Sequence, residues 1–336
     1  MSALDRITLV IVTWKGDGML RKCLDSVVRA CGALPETVVV DNAALDSTAA
    51  LVGSYANARY LPLPENRGFA GGNNAAAPFC KREYTVLLNN DTELAGDAFT
   101  PLVEFLDARP EAAAAQGKIV FAARNQLDGC GGFLSPLGVL AFRGAFADDS
   151  PEFSAPARVF TVGGAFFAVR NAAVAACGGL FYDHFKSYYE EINLCHRLAV
   201  AGYDCWYVPT PPVMHLHSAT ASKFRREDIL EQYYRNVWFS NLTCFNAWNR
   251  LRFGAILAAL CAGQAAAALL RGDTGPLKAH WRAAKRLLRE LRPGGEVRRT
   301  RAAVAATRRR SDREILAYAM KSQPWSFYKS LVMRRL

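Results

Sequence analysis

Three apolar runs in the front part of the chain each break off at a polar side chain. Ile7 to Thr13 ends in a hydroxyl, Thr37 to Val40 runs into Asp41-Asn42, and Tyr84 to Leu88 runs into Asn89-Asn90-Asp91. Short apolar runs bounded by turn residues read as buried strands. Helical spacing fills the intervals. Gly18–Ala30 repeats apolar residues at Met19, Leu20, Cys23, Leu24, Val27 and Val28, Asp46-Ser47 is placed to cap a helix through Val52, and Gly71–Lys81 reads as an Asn/Ala-rich helix. Ala58–Leu63 adds another strand. This alternation specifies an α/β fold, a doubly wound and mostly parallel sheet. Ligands of such sheets bind outside the carboxyl ends of the strands, so the three polar ends should share one edge where a nucleotide would sit. A lone carboxylate flanked by amides, Asp91, suits a hard divalent cation that also holds a diphosphate. A strand ending in an ordinary Asn/Asp turn is the competing reading.

Residues 125–160 are rich in Gly, Pro, Phe and Asp and read as loops and short strands, a flexible cover. Gly163-Gly164, between apolar runs, implies close backbone approach. A helix is expected from near Ser187 to Ala201, stopped by Gly202 and opened by a capping box of Ser187 with Glu190. Trp206 to Val208 and Val213 to His215 read as further strands.

Charge divides the chain. Residues 1–222 carry 17 basic and 22 acidic side chains and residues 223–336 carry 24 and 8, so the stated net charge of +11 belongs to the rear. This separates a front domain at 1–222 from a basic helical C-terminal extension from 223. Gly254–Leu270 has no charge, at the lower limit of length for a membrane span. Lys278–Arg292 interleaves Arg and Lys with Trp281, Leu287, Leu288 and Leu291, and Arg308-Arg309-Arg310 follows. Such a stretch fits an anionic membrane surface, or else a solvated helical face. The nine cysteines form no CxxC pair, which favours reduced, mostly buried thiols in the cytoplasm. The N-terminus has no basic n-region and reads as a strand rather than a signal peptide. The acidic front and the lack of a recognised motif argue against nucleic acid as a partner. No GxGxxG follows the first strand, which argues against a dinucleotide. Oligomeric state is not readable.

Several segments, in order, resemble the family 2 glycosyltransferases of GT-A fold, and within them the bacterial rhamnosyltransferase-like group. Val10 to Trp14 is similar to the family's first strand, Val38 to Ala43 with Asp46-Ser47 to its VVDNASxDGS segment, and Glu65 to Asn74 to its NxGFAGGNN signature. Leu88 to Thr92 resembles its LNPDT form of the DXD motif, and Gly163 to Phe166 its SGAxxL strand. Phe181 to Asp183 with Tyr189 to Arg197 resembles FDExFFxYxEDxDLCxR, and Tyr233 to Asn236 resembles YYxxRN.

The resemblance implies transfer of a sugar from a nucleoside-diphosphate donor, of the dTDP-rhamnose class, to a glycan or lipid-linked acceptor in cell-surface polysaccharide synthesis, with a nucleotide-sugar part at about 1–95 and an acceptor part at about 96–222. The enzyme would work at the inner face of the membrane. The donor would be held by Thr13, Asp41, Asn42, Arg67, Gly68, Asn89 and Asn90, with Gly68, Gly71 and Gly72 letting the backbone approach the ligand. Asp91 and His215 would hold Mg²⁺ or Mn²⁺, with His217 as an alternative ligand. Glu191 would be the general base and would invert configuration, and Gly164, Ala165, Asp183 and Glu190 would face the acceptor. Two positions depart from the family pattern: Glu191 and Asn193 stand where it has Asp. They support the alternative of a catalytically silent sugar-nucleotide or glycan-binding protein.

Overall fold

The structure, a computed structural model, describes residues 2–124, 126–216 and 225–333. The front half alternates as its sequence demands. In chain order it comprises β1 (Ile7–Thr13), α1 (Asp17–Cys31), β2 (Glu36–Asp41), α2 (Asp46–Gly53), β3 (Ala58–Pro62), α3 (Gly68–Ala76), β4 (Tyr84–Leu88), β5 (Thr92–Leu94), α4 (Phe99–Asp107) and β6 (Ala112–Gln116). Short strands β7 (Ile119–Phe121), β8 (Leu127–Gly129), β9 (Gly132–Leu134), β10 (Leu140–Phe142) and β11 (Ala157–Val159) follow. After them come β12 (Phe166–Arg170), α5 (Asn171–Ala176), α6 (Glu190–Val200), β13 (Asp204–Tyr207) and β14 (Val213–His215). The rear is helical: α7 (Arg226–Cys244), α8 (Ala247–Leu269), α9 (Gly275–Glu290), α10 (Glu296–Ala306), α11 (Asp312–Ala319) and α12 (Trp325–Met333).

The main sheet has eight strands in the order β11-β13-β6-β12-β4-β1-β2-β3. β4, β1, β2 and β3 are mutually parallel, while β12 runs antiparallel to both β4 and β6. The sheet is therefore mixed but mostly parallel, as the alternation requires. Alternate side chains of β1 serve opposite faces, as the period of two dictates. Ile7, Leu9 and Ile11 pack in one core layer with α1 and α4, and Val10 in another with α3, α5 and α6.

The helix at Gly71–Lys81 begins earlier, at Gly68, and stops at Ala76, where Pro78 in a following 3-10 turn prevents its continuation. Asp46 and Ser47 do not cap α2. They lie in its first turn, where Ser47 Oγ donates to Asp17. Residues 125–160 form more than a cover, since Leu127, Cys130, Phe153 and Val159 are fully or nearly fully buried in the main core. The rear helices share cores with the front. Phe239, Leu287 and Val297 join the core layer of Val10, and Val304, Ile315 and Ala319 pack with Leu134, Phe160 and Ile192. All nine cysteines are free thiols, six of them buried.

Arg308-Arg309-Arg310 is not an open basic patch. Arg308 donates to Asp312 at 2.9 Å and Arg310 to Asp204 at 2.5 Å. Lys278–Arg292 does present an amphipathic face. On α9, Leu277, Trp281 and Leu288 are exposed, with Lys278, Lys285 and Arg289 exposed beside them. Among the described residues, one helix, α8, is long and apolar enough to cross a membrane. Only 22% of its most apolar window is buried.

Candidate functional site

The strand ends meet as expected. β1 lies between β2 and β4, Asn42 N donates to Thr13 O at 2.9 Å, and Asn90 Nδ2 donates to Thr13 Oγ1 at 2.9 Å. The chain then turns at Asn89-Asn90-Asp91 into β5, an edge strand of a second, four-stranded sheet ordered β5-β14-β7-β8. β14 pairs antiparallel with β5 so that His215 stands opposite Thr92, and Leu216 N donates to Asp91 O. This register, rather than proximity in sequence, puts the two side chains together. Asp91 Oδ1 lies 3.4 Å from His215 Nε2, both side chains being 9% exposed.

A third member comes from β8. Asp128 Oδ2 lies 2.7 Å from His215 Nδ1. Burial alone would lower the imidazole pKa, but the hydrogen bonds to Asp128 and Asp91 outweigh it and raise the pKa to about 9. Asp128 fixes the tautomer with Nδ1–H directed at it, so that Nε2 and Asp91 Oδ1 face one point. His217 lies outside the described residues. Among the described residues there is no group of three or more His, Cys, Asp or Glu side chains that could hold a metal ion. An oxygen and a nitrogen facing one point would suit a cation only if other groups, such as diphosphate oxygens and water, filled its remaining positions.

The expected donor-binding residues are placed together, but several are committed to the chain itself. Asp41 is fully buried. Its oxygens accept from Ala43 N and Leu45 N, each at 2.8 Å, and from Tyr60 Oη at 3.1 Å. Three of about four acceptor positions are thus used, and the Asx-turn reading prevails over a free base contact. Thr13 and Asn90 hold each other, with Gly16 close above them: a Cβ on Gly16 would meet Asn90 Nδ2 at 2.7 Å. Asn42 accepts from Arg67 N and donates to Gly68 O. The Arg67 guanidinium pairs with Asp183 instead of standing free for phosphate. Asn89 N donates to Ala165 O and its own carbonyl accepts from Thr92 Oγ1, which locks the turn before Asp91.

The segment Glu65–Asn74, expected to bring backbone close to a ligand, approaches another loop. Gly68 has φ +72°, and a Cβ there would meet Lys186 O at 2.6 Å. Ala70 N donates to Lys186 O, Phe69 N to Ser187 Oγ, and Asn74 Nδ2 to both Phe181 O and Asp183. From the opposite side Asn236 Nδ2 on α7 reaches the carbonyls of Phe185, Ser187 and Tyr188 at 3.0, 3.2 and 2.7 Å. The clamped loop needs this support, because Lys186, Tyr188 and Tyr189 all have positive φ.

That loop delivers Glu190 and Glu191 at the start of α6. The expected capping box is absent: Tyr189 is the N-cap, no side chain caps the helix, and Ser187 Oγ instead accepts a hydrogen bond from Phe69 N. Glu190 is 6% exposed, and its Oε2 has no partner. Burial, reinforced by the charge of Glu191, pushes its pKa well above the ordinary carboxylate range. Glu191 is half-buried. Burial raises its pKa to about 7, with partial opposition from backbone N–H groups of Glu191 and Ile192. Gly164 makes room for it, since a Cβ there would lie 3.3 Å from Glu191 Oε1. Gly164 and Ala165 thus tie the Glu191 carboxylate to the Asn89 turn.

Asn193 is 1% exposed and faces inward. It donates to Ser240 Oγ and accepts from Arg197 Nε, and Arg197 in turn holds the carbonyls of Cys177, Gly179 and Leu180. Its departure from the family residue therefore changes a packing network, not the surface over the strand ends. Sequence reasoning missed Asp128 and the loop-clamping role of Asn236. The acid in Leu127-Asp128-Gly129 gave no local signal, whereas Asn236 stood in a recognised segment with no role attached.

The chain matches the family model "Glycosyl transferase family 2" over residues 8–133 and "Glycosyl transferase family group 2" over residues 84–283. It is 26% identical over 236 residues to the N-acetylglucosaminyl-diphospho-decaprenol L-rhamnosyltransferase of Mycobacterium tuberculosis (strain CDC 1551 / Oshkosh), covering 63% of this chain and 76% of that one. It is 28% identical over 104 residues to the succinoglycan biosynthesis protein ExoO of Rhizobium meliloti (strain 1021), spanning 30% of each. The crystal structure of GalNAc-T7 with UDP, GalNAc and Mn²⁺ shares the fold, with TM-score 0.56 at 16% identity over 69% of this chain and 47% of that one. The second family match alone spans more than half of the sequence, and the chain belongs to the family 2 glycosyltransferases.

Proposed function

We propose that this glycosyltransferase moves a sugar from a nucleoside-diphosphate donor, of the dTDP-rhamnose class, to a glycan or lipid-linked acceptor, with inversion and with a divalent cation. The observation that carries the reading is the convergence of Asp91 Oδ1 and His215 Nε2 on one point, with Asp128 behind the imidazole. When bound there, Mg²⁺ or Mn²⁺ would neutralise diphosphate charge as the nucleotide leaves. The fit rests on the oxygen–nitrogen donor pair and on the carboxylate that orients its histidine. The mycobacterial relative is named for a rhamnose transfer to a decaprenol-linked acceptor, and GalNAc-T7 was crystallised with UDP and Mn²⁺. The first supports the donor sugar and acceptor class proposed here, and the second a nucleoside diphosphate held with a divalent cation.

In this reading the loop 41–45, the Asn42–Arg67–Gly68 turn and the Thr13–Asn90 pair wall the donor pocket. Asn89 presents an amide over the strand end. Glu191, with its pKa raised to about 7, accepts the proton of the acceptor hydroxyl as that oxygen attacks the anomeric carbon. Attack from the face opposite the departing diphosphate inverts the configuration. The exposed α9 stripe of Leu277, Trp281 and Leu288, flanked by Lys278, Lys285 and Arg289, would seat the enzyme on the inner membrane surface.

The test is a thermal-shift screen of nucleoside diphosphates and sugar nucleotides with and without Mn²⁺. One donor should stabilise the protein only with the metal. No stabilisation by any donor in either condition would reject the reading. Stabilisation without turnover would favour the silent binding protein.

A further inference from the structure

The edge of the main sheet that carries the strand ends has a definite order. From β2 to β6 it presents Asp41, Thr13, Asn89, the Gly163–Ala165 turn that faces Glu191, and Gln116 at the end of β6. The walls of the donor pocket occupy the first part of this line and the base follows them. What lies past Gln116 has no part in the sugar-transfer reading. Gln116 Oε1 accepts from Gly163 N at 2.6 Å, and Gln116 Nε2 donates to Gly129 O at 2.5 Å. One side chain thus ties the turn facing Glu191 to β8, on the side away from the nucleotide.

Two exposed aromatic rings stand on β8. Phe142 and Phe146 are 40% and 58% exposed. Phe142 lies against Gly129, where a Cβ would come within 3.5 Å of Phe142 Cβ. Phe146 runs alongside β8, its N donating to Leu127 O at 2.8 Å. Its ring stacks on Phe121, with centroids 5.1 Å apart and planes at 16°. Phe121 is buried and stands opposite His215 in the β7–β14 register, so the stacked rings adjoin the His215–Asp128 pair. Phe146 holds this position in the left-handed region, at φ +64°, which bulky side chains rarely adopt. An exposed ring returns little hydrophobic stabilisation for that strain. Strained backbone that presents an apolar face beside a reaction centre points to a ligand. Polar groups flank the ring as well. Asp148, two residues on, is exposed and meets Gln126 Nε2 only at 3.4 Å.

A flat aromatic face with a carboxylate and an amide beside it matches a pyranose ring, whose C–H face is apolar and whose hydroxyls lie around its edge. A nucleobase also stacks on aromatic rings, but its wall lies at the other end of the line, at β1 and β2. We propose that Phe146, backed by Phe121 and extended by Phe142, stacks against a pyranose ring of the acceptor glycan. The inference rests on the proposed sugar transfer and names the side chains that seat its acceptor. The sugar that gives up its proton to Glu191, or the next one along the glycan, would lie across this shelf.

The experiment is saturation-transfer difference NMR on the full chain without donor or metal, irradiating aromatic protons. The probes are the methyl pyranosides of N-acetylglucosamine, glucose, galactose, mannose and rhamnose. We expect at least one of them to show saturable enhancement of its ring C–H protons. Binding should be about ten-fold weaker or absent in Phe146→Gly and retained in Phe146→Tyr, which keeps the aromatic face. Glycine accepts φ +64° without strain, so Phe146→Gly should fold, and near-UV circular dichroism and the thermal midpoint check this. If it does not fold, Phe142→Ser, at the other exposed ring, gives the second readout. Trp325→Ser removes an aromatic on α12 that is 80% exposed and controls for sugar resting on any open ring. Enhancement with no pyranoside, or undiminished enhancement in folded Phe146→Gly, overturns the proposal, as does loss in Trp325→Ser alone. Sugar contact needs neither donor nor cation, so failure of the sugar-transfer reading shows separately, as no donor stabilisation with Mn²⁺ while the pyranoside contact persists.

Discussion

Asp128 Oδ2 stands 2.7 Å from His215 Nδ1, while Asp91 Oδ1 stands 3.4 Å from Nε2 of the same ring. The imidazole is thus held between a carboxylate that orients it and one with which it would share a cation. Without a cation, the two carboxylates keep the ring protonated to about pH 9. A cation binding at Nε2 must displace that proton.

Asp128→Asn should therefore weaken Mn²⁺ binding about 10- to 100-fold, because the amide neither fixes the tautomer as firmly nor raises ligand basicity. Asp91→Asn should abolish it. Calorimetric titration of Mn²⁺ in the presence of nucleoside diphosphate measures both. Equal affinity of Asp128→Asn and the parent would remove Asp128 from the site.

Gly164→Ala tests the seat of the base. The new Cβ would lie 3.3 Å from Glu191 Oε1 and 3.4 Å from its Cδ. The carboxylate must give by a few tenths of an ångström, and kcat should fall about ten-fold or more, since reaction geometry tolerates little displacement. Gly164 is not among the glycines with positive φ, so the thermal midpoint should hardly move. Donor-induced stabilisation should also persist, separating a displaced base from a damaged donor pocket.

What was legible in the sequence follows from how local its cause is. β1, β4 and β14 lie where their apolar runs put them, because a short buried strand is defined by its own side chains. Asp91 and His215 could be paired only through the family likeness, and the β5–β14 register supplies the physical reason. The Ser187–Glu190 capping box fails because a tertiary partner, Phe69 N, takes the serine hydroxyl, and the chain at Tyr188-Tyr189 turns left-handed instead. The glycine-rich segment was readable as close approach, but its neighbour is the backbone at Lys186, far along the chain. Asp128 was illegible for the same reason: its role depends on β8 and β14, which lie two strands apart in the second sheet with β7 between them and far apart along the chain.

Asn236→Ala should expose how much the Phe185–Tyr189 loop costs to hold. The amide reaches three carbonyls, all from a stretch containing Lys186, Tyr188 and Tyr189 at positive φ. Losing it should destabilise the fold by about 1–3 kcal/mol through unsatisfied carbonyls. Transfer should fall further than stability explains, because Glu191 is carried by that loop. Denaturant unfolding and kcat at a temperature where the variant is fully folded distinguish the two effects. Full activity in the folded variant would show that α6 holds Glu191 unaided.

Glu191 couples activity to stability through pH. Its carboxyl ionises near pH 7 in the folded chain, well above its unfolded value of about 4.5. The base form accumulates as pH rises through 7. Below that point kcat/KM should climb about ten-fold per pH unit and then level off. The stability sign is opposite. A folded pKa raised above the unfolded one means stability fully present below about pH 4.5, lost progressively as pH rises through 7, because the folded state must bury the ionised form. Glu191→Gln removes that penalty, so at pH 8 it should melt at a higher temperature than the parent, and at pH 4 at nearly the same one. The same substitution should lower transfer about 100- to 10,000-fold while leaving metal-dependent donor binding in place. Transfer that survives Glu191→Gln, or a rate profile flat from pH 5 to 8, would assign the base elsewhere. A variant dead in transfer yet no more stable at pH 8 would mean that Glu191 is already solvated in the folded protein, and that its reactivity comes from position rather than from a raised pKa.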